Sequence, residues 1–274
     1  MANEPIAHPP ETLEGWYALH QIFRFKETTP SVRELTRLAH AAEAALRPGG
    51  KGRGKTKSQP ASQAGWSCFV RLIGSSSQLM AIHFRDSLDA IAHAEDQMRA
   101  TEIFIDSELS YAFLSVTEAG LYHITADLAR AAVARGGQVG DAEYTRTLAG
   151  RATAERESEH VKRRLYPPIP VEMPYVCFYP MSKRRDADQN WYTLQLDERS
   201  RLMYSHGLTG RRYAGRVQQI ITGAIGLDAW EWGVTLFAKD PLDFKKLVTD
   251  MRFDEVSAKY AEFGDFYVGK LISS

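Results

Sequence analysis

Cysteine is almost absent from this chain of 274 residues, which contains only Cys68 and Cys177. Each cysteine lies in an apolar run typical of a β-strand, so buried free thiols in a reducing compartment explain them better than a disulfide does. A zinc site would need more sulfur or histidine at ligand spacing. The sequence therefore predicts neither a disulfide framework nor a structural zinc site.

An excess of charge and long apolar runs are also missing. The 34 Lys and Arg residues balance 34 Asp and Glu residues, so recognition by charge must be local, and nucleic acid is not an expected partner. The first fifteen residues, MANEPIAHPPETLEG, have no apolar core for a signal peptide, and no run approaches the length of a membrane span. We therefore expect a cytoplasmic protein without a membrane span.

The first half of the chain contains apolar and amphipathic segments in a regular order. The pattern predicts a strand at 16–25, a helix at 29–46, strands at 66–73 and 79–84, a helix at 86–100 and a strand at 111–116. Segment 48–64 is rich in glycine and basic residues. Because its spacing does not match a P-loop, we interpret it as a flexible surface loop rather than a phosphate site.

The second half repeats this order at 175–180, 197–206, 218–224, 230–237, 240–251 and 263–272. The strings DSLD at 86–89 and DPLD at 240–243 introduce equivalent helices. Two βαββαβ units can bury their apolar sheet faces by closing a shared barrel. We therefore predict an α+β fold with two ferredoxin-like halves, joined by a connecting arm, at 13–120, 121–164 and 165–274.

The stretch 203–219 carries the residues best suited to chemistry: a histidine ending a predicted helix, a glycine-punctuated basic turn and a strand with a glutamine. A lone histidine of this kind is usually structural. Further collinear strings change that interpretation: YPMSKRR (179–185), NWY (190–192), MYSHGLTGRRYAGRVQQIITG (203–223), WEWGVTLFAKDPLDFKKLVTDMRFDEVSAKYAEFG (230–264) and FYVGK (266–270). Together they resemble the coproheme decarboxylases, which are heme synthases of the chlorite dismutase-like superfamily.

This resemblance implies a dimeric α+β barrel protomer, assembled as a homopentamer. It implies oxidative decarboxylation of iron coproporphyrin III (coproheme) with hydrogen peroxide as the oxidant. The propionates at positions 2 and 4 become vinyl groups, and heme b is the product of this step in heme biosynthesis. The tetrapyrrole is then both substrate and redox cofactor, and a transient contact with coproporphyrin ferrochelatase is a further expectation.

Three residues match the centre of the family's site. His206 matches the proximal iron ligand, and Asp254 or Glu255 could accept a hydrogen bond from its other ring nitrogen. Tyr179 matches the catalytic tyrosine, an oxidisable phenol that relays oxidation to a propionate. Gln219 matches the distal position above the open face of the iron. Without the resemblance, Tyr179 and Gln219 would be ordinary strand residues.

The resemblance also implies residues that hold the porphyrin and its carboxylates. They are Met181 at the porphyrin edge and Arg164, Lys183, Arg252 and Ser257 at the propionates. Read without the family, these side chains would be surface charges, helix-end residues or core. Trp191 and Trp232 are candidate pocket aromatics, although aromatics of this kind are more often part of a core.

Two other functions remain open. A chlorite dismutase or heme peroxidase would share the fold, but true chlorite dismutases carry an arginine at the distal position, and the neutral Gln219 holds a chlorine oxyanion less well. A non-catalytic heme-binding protein would also share it. Tyr179 argues against that alternative, because a carrier needs no oxidisable phenol.

Overall fold

The computed structural model describes residues 8–46 and 65–272, and the part up to residue 120 is built from strands and three helices. In chain order these are β1 (Thr12–Phe25), α1 (Val32–Leu46), β2 (Gly65–Leu72), β3 (Leu79–Arg85), α2 (Leu88–Arg99), α3 (Glu102–Asp106) and β4 (Ser107–Gly120). The side chains of Ser31 and Ser87 accept backbone N–H bonds that begin α1 and α2. The predicted loop 48–64 lies outside the described residues.

The remaining elements begin with the three helices of the arm. In chain order they are α4 (Tyr122–Ala134), α5 (Ala142–Arg156), α6 (Glu159–Leu165), β5 (Tyr175–Lys183), β6 (Arg185–Asp186), β7 (Gln189–Asn190), α7 (Leu196–Arg211), β8 (Val217–Gly223), β9 (Trp232–Ala238), α8 (Leu242–Arg252), α9 (Glu255–Tyr260), β10 (Ala261–Phe263) and β11 (Tyr267–Leu271). Within the described chain, none of the helices combines the length and the apolar character needed to cross a bilayer.

Eight of the strands close into an antiparallel barrel. In the first strand set (β1–β4) the order is β4-β1-β3-β2, and in the second strand set (β5, β8, β9, β11) it is β11-β5-β9-β8. Pairing of β4 with β8 and of β2 with β11 joins the two sets. The predicted α+β fold with a large antiparallel sheet is confirmed, and each set has the ferredoxin-like strand order.

The interior of the barrel is an aromatic core to which both strand sets contribute. Phe84, Phe113, Phe178 and Phe237 are fully buried in it. His20 lies among them, stacked on the Phe178 ring with 4.1 Å between centroids. Burial lowers the pKa of His20 to about 3, so this histidine is a neutral core residue. The interior is therefore occupied by packed aromatic side chains.

The arm of α4, α5 and α6 packs against the ends of β1 and β4 through a separate apolar cluster that includes Leu13, Ala119 and Leu165. Gly15 makes this packing possible. A β-carbon at Gly15 would lie 2.2 Å from the carbonyl oxygen of Leu165, so any larger residue would push the end of α6 away from β1. The arm is thus fixed directly beside the barrel rather than extending from it.

Three details differ from the sequence prediction. Helix α7 does not end at His206 but continues to Arg211, because packing against α4, α8 and α9 outweighs the low helix propensity of its glycines. The final strand predicted at 263–272 is two strands, β10 and β11, separated where the Phe266 ring stacks on Tyr179. The short helices α3 and α9 are not predicted by the sequence pattern.

Candidate functional site

A cavity of about 1880 Å³ lies on the outer face of the second strand set. Its walls come from β5, β8 and β9 on one side and from α7 and α8 on the other, with β4 and the arm at one end. Its lining combines apolar side chains with many polar and charged ones, which suits a large organic ligand that itself carries charged groups.

Helix α7 creates the cavity because it is held away from the sheet. It packs on α4, α8 and α9, whereas α1 packs directly on β2. The cavity-facing side of α7 presents Met203, Gly207 and Gly210, one turn apart. Two of these three residues have no side chain, so a flat ligand could approach the helix backbone closely.

His206 lies on this side of α7, and its Nδ1–H donates to Asp254 Oδ2 at 2.8 Å. The other oxygen, Oδ1, accepts the backbone N–H of Ser257 at 2.9 Å and caps α9. Although burial acts to raise it, the hydrogen bonds from His206 and Ser257 hold the pKa of Asp254 below its ordinary value. An ionised Asp254 fixes the ring tautomer and leaves Nε2 as the nitrogen able to bind a metal.

The sequence left two acceptors open for His206, and the geometry selects one. Glu255 turns away and pairs with Arg201 at 3.0 Å and with Lys259 at 2.8 Å. Among the described residues, no group of three or more His, Cys, Asp or Glu side chains could hold a metal ion.

Tyr179 faces the cavity from β5, and its ring stacks on Phe266 with 4.4 Å between centroids. Burial raises the pKa of the Tyr179 phenol, against the lowering effect of the nearby Arg252 charge. The phenol is therefore protonated at neutral pH. Arg252 itself is exposed and lies over the Phe263 ring, 3.7 Å from its centroid.

Lys183 faces the cavity four residues further along β5 and is 8% exposed. Its ammonium lies 4.7 Å from the centroid of the Trp191 ring. Burial lowers the pKa of Lys183 to about 8, although the carboxylates of Asp254 and Glu231 act in the opposite direction. A buried ammonium that lies over an aromatic ring can still donate hydrogen bonds to an anion in the cavity.

Gln219 reaches toward α7 from β8. A β-carbon built on Gly210 would lie 3.3 Å from Gln219 Nε2, so the amide spans the gap between sheet and helix. Ser257 and Met181 also line the cavity. Arg164 lies at the arm end of the cavity, where its Nε–H donates to the Glu118 carbonyl oxygen at 3.0 Å.

The structure brings together most of the residues predicted from the sequence. Those that line the cavity are Arg164, Tyr179, Met181, Lys183, His206, Gln219 and Ser257, together with the aromatics Trp191 and Trp232. Arg252 is the predicted binding residue that does not line the cavity. It is close to Tyr179 and covers Phe263, and both of those rings do line it.

Sequence reasoning missed several ionisable residues of the cavity, among them Glu118 and Arg199. Glu118, on β4, accepts a hydrogen bond from Trp232 Nε1 at 2.8 Å, and burial raises the pKa of its carboxyl group against the effects of Trp232 and Arg164. Arg199 lies on α7 and is buried. A signal existed for Arg199: a charge at helical spacing between the apolar Leu196 and Leu202 lies on the inward face of the helix.

Known proteins share the fold of this chain. The family model described as chlorite dismutase matches residues 37–272. A heme-binding protein from Thermus thermophilus is 35% identical, with a TM-score of 0.71 over 98% of this chain and 95% of that one. Chlorite dismutase from Candidatus Nitrospira defluvii in complex with imidazole is 15% identical, with a TM-score of 0.62 over 94% and 91% of the two chains. The latter similarity concerns the fold alone.

Proposed function

Because this chain belongs to the chlorite dismutase family, we propose that it is a coproheme decarboxylase. The substrate is iron coproporphyrin III, and the product is heme b. Each of the two reacting propionates becomes a vinyl group and leaves one carboxyl carbon as CO2. The two electrons and the proton removed from the side chain reduce one hydrogen peroxide to two water molecules, together with one proton from solvent.

The observation that supports this proposal most strongly is the arrangement of three side chains around one cavity. His206, oriented by Asp254, faces the cavity from α7, while Gln219 and Tyr179 face it from the sheet. An iron tetrapyrrole fits this arrangement, because the cavity volume of about 1880 Å³ exceeds the range usual for drug-sized ligands. His206 Nε2 would hold the iron, and Gln219 would lie over its open face.

Two cations of the cavity fit a ligand with many carboxylates, and of these Lys183 is buried and Arg164 is exposed. Lys183 rests on Trp191 instead of an acidic side chain, and Arg164 is hydrogen-bonded to a backbone carbonyl. Both can pair with propionates, and Ser257 can donate a hydroxyl hydrogen bond. Met181 would contact the porphyrin edge. Arg252, which lies outside the lining, would reach a propionate only at the edge covered by Phe263.

The chain supplies a hydrogen donor as well as a binding site. When bound, the iron tetrapyrrole supplies the redox chemistry with peroxide. Tyr179 keeps its proton at neutral pH, since burial raises the pKa of the phenol, so it can donate a hydrogen bond to a propionate before reaction. With an oxidised tetrapyrrole bound, Tyr179 would pass on its phenolic hydrogen and take one back from the propionate chain, which would give up its second electron as CO2 leaves.

A non-catalytic heme-binding protein is the second candidate, and the 35% identical relative favours it, since that protein is described as heme-binding. The neutral amide of Gln219 disfavours chlorite as a substrate, because it cannot pair with an oxyanion as an arginine does. Release of oxygen from chlorite would reverse that judgement.

One experiment separates these functions. Purified apoprotein is titrated with iron coproporphyrin III, peroxide is added, and the mass of the tetrapyrrole is followed. Stepwise loss of two carboxyl groups supports the decarboxylase, whereas an unchanged ligand supports the carrier.

Tyr179→Phe tests the hydrogen donor. We expect this variant to retain the Soret band of the bound tetrapyrrole and to lose at least about a hundredfold in turnover, the scale of a lost hydrogen-transfer group. A variant that forms heme b at the wild-type rate would remove Tyr179 from the mechanism. Trp191→Phe is the matched aromatic variant, and we expect its turnover to stay close to the wild-type rate.

The proposal also covers the oligomeric state, the cellular location and the protein that delivers the substrate. We propose a cytoplasmic homopentamer that receives coproheme through transient contact with coproporphyrin ferrochelatase. Sedimentation equilibrium of the apoprotein tests the pentamer, because a monomer mass of 30.8 kDa is readily distinguished from five times that value.

A further inference from the structure

Arg199 is a buried cation that the proposed mechanism does not use. It lies in the first turns of α7, is 3% exposed and lines the cavity. One guanidinium nitrogen, Nη2, donates to the carbonyl oxygen of His8. Its Nε is buried without an acceptor, and within residues 8–46 and 65–272 no carboxylate forms an ion pair with it.

Such a cation is unusual, because arginine is almost never fully buried unless an anion pairs with it. Arg201, two residues further along the same helix, shows the ordinary arrangement: it is exposed and pairs with Glu198 at 2.7 Å and with Glu255 at 3.0 Å. Burial lowers the pKa of Arg199, and the groups that act in the opposite direction are the phenols of Tyr122 and Tyr192. No acid of the described chain compensates the charge.

The position of Arg199 relates it to both predicted contacts of the tetrapyrrole. It precedes His206 by two helical turns, so the two side chains share one face of α7 and are separated by about 10 Å along its axis. That separation is comparable with the reach of a propionate arm from the iron of a porphyrin. The Tyr122 ring next to Arg199 lies 6.5 Å from the Trp191 ring that supports Lys183.

From this arrangement we infer that Arg199 binds one ionised carboxylate of the tetrapyrrole, in a subsite next to that of Lys183. The inference rests on the proposed function, since it names a contact of the same cavity. The bond to His8 leaves Nε free, so the N-terminal segment and the ligand can be held by the same guanidinium at once. The planar guanidinium group suits a carboxylate, which can accept two parallel N–H hydrogen bonds from it.

The test is a Soret titration of wild type, Arg199→Met and Arg199→Lys with iron coproporphyrin III, as the free acid and as its tetramethyl ester. We expect Arg199→Met to bind the free acid at least about tenfold more weakly, the effect of one lost charged hydrogen bond, and the ester within about twofold of wild type. Arg199→Lys should recover part of the loss. Arg201→Met on the same helix is the matched control and should bind both ligands as wild type does.

A free-acid affinity unchanged in Arg199→Met would overturn the subsite. So would an equal loss for acid and ester, which would indicate that Arg199 only holds the N-terminal segment in place. If wild type itself fails to bind the free acid, the proposed function fails first. In that case the subsite is tested with mellitate, a flat polycarboxylate, whose binding is followed by tryptophan fluorescence. If wild type binds mellitate and Arg199→Met does not, the carboxylate subsite is supported. If wild type gives no fluorescence change, the subsite is overturned.

Discussion

The two strand sets of the barrel share a strand order but differ in what covers their outer faces. On the first set, α1 and α2 lie against the sheet and bury a continuous apolar cluster that includes Phe23, Phe69 and Leu38. On the second set, α7 stands away from the strands and the cavity takes the place of that cluster. The same architecture therefore gives a closed core in one set and a binding site in the other.

The strand registers allow a residue-by-residue comparison. Arg85 and Ala238 each end a strand and each pair with the first residue of a neighbouring strand. Counted from these positions, Ser67 corresponds to Gln219, Phe69 to Ile221, Gln21 to Tyr179 and Phe25 to Lys183. The difference teaches that a few bulky side chains on the sheet, and leucines rather than glycines on the helix, decide whether this architecture is filled or open.

The largest expected effect is on the free energy of unfolding, which should respond differently to substitutions on the outer faces of the two strand sets. Phe69→Ala should lower the free energy of unfolding by about 3–5 kcal/mol, because the ring is fully packed between the sheet and its helices. Ile221→Ala, at the corresponding position, should cost less than about 1 kcal/mol, since its side chain already borders the cavity. Urea denaturation of both variants measures the difference. Equal losses would mean that the second face is as closely packed as the first.

The next effect concerns Lys183, whose counterpart in the first set is Phe25. The folded-state pKa of about 8 lies below the ordinary value for lysine, so the charged form destabilises the fold at neutral pH. Lys183→Met should therefore raise the free energy of unfolding at pH 7 by about 2–3 kcal/mol. The gain should shrink as the pH rises from about 8 toward the unfolded-state pKa, because the wild-type protein then regains stability.

The same substitution should weaken the binding of iron coproporphyrin, since it removes a cation from the cavity. Denaturation curves at several pH values and a Soret titration check the two halves of this prediction. A variant that is both less stable and equally tight in binding would contradict it. Lys259→Met is a suitable control, because Lys259 is an exposed residue paired on the surface with Glu255.

The smallest expected effect compares two histidine pairs of equal length. His206 bonds to Asp254 and His83 to Ser67, each at 2.8 Å. Asp254→Ala should weaken binding of the iron tetrapyrrole by about 10–100-fold, because the metal ligand loses its orienting partner. Ser67→Ala should leave that affinity unchanged, since burial lowers the pKa of His83 to about 3 and keeps it neutral within the first face. A comparable loss in Ser67→Ala would end the distinction between the pairs.

Much of the fold was accessible from the sequence, for reasons visible in particular elements. Strands β2 and β3 follow from two short apolar runs joined by a Gly-Ser turn, and the helix begun by Ser87 follows from its capping side chain. The end of α7 was not accessible, because Gly207 and Gly210 indicate a helix stop, and only packing by three other helices maintains the helix beyond His206.

The site divides in the same way. His206, Tyr179 and Gln219 are recognisable because they lie in long collinear strings that resemble a family, although their local pattern alone favours ordinary strand and helix residues. Glu118 and Arg199 are part of the cavity because β4 and the arm close one of its ends. That proximity depends on barrel closure between residues more than a hundred positions apart, such as Thr117 and Thr222, which no local pattern reports.

The separate support of α7 has a consequence for how a ligand enters. Because α7 packs chiefly on α4, α8 and α9, a shift of these helices would widen the cavity and leave the hydrogen bonds of the barrel intact. The strands form a closed hydrogen-bonded barrel, and α7 lies outside it. We therefore expect amide hydrogen exchange to slow in α7 when the tetrapyrrole binds, while the rates in β1 and β3 stay as they were.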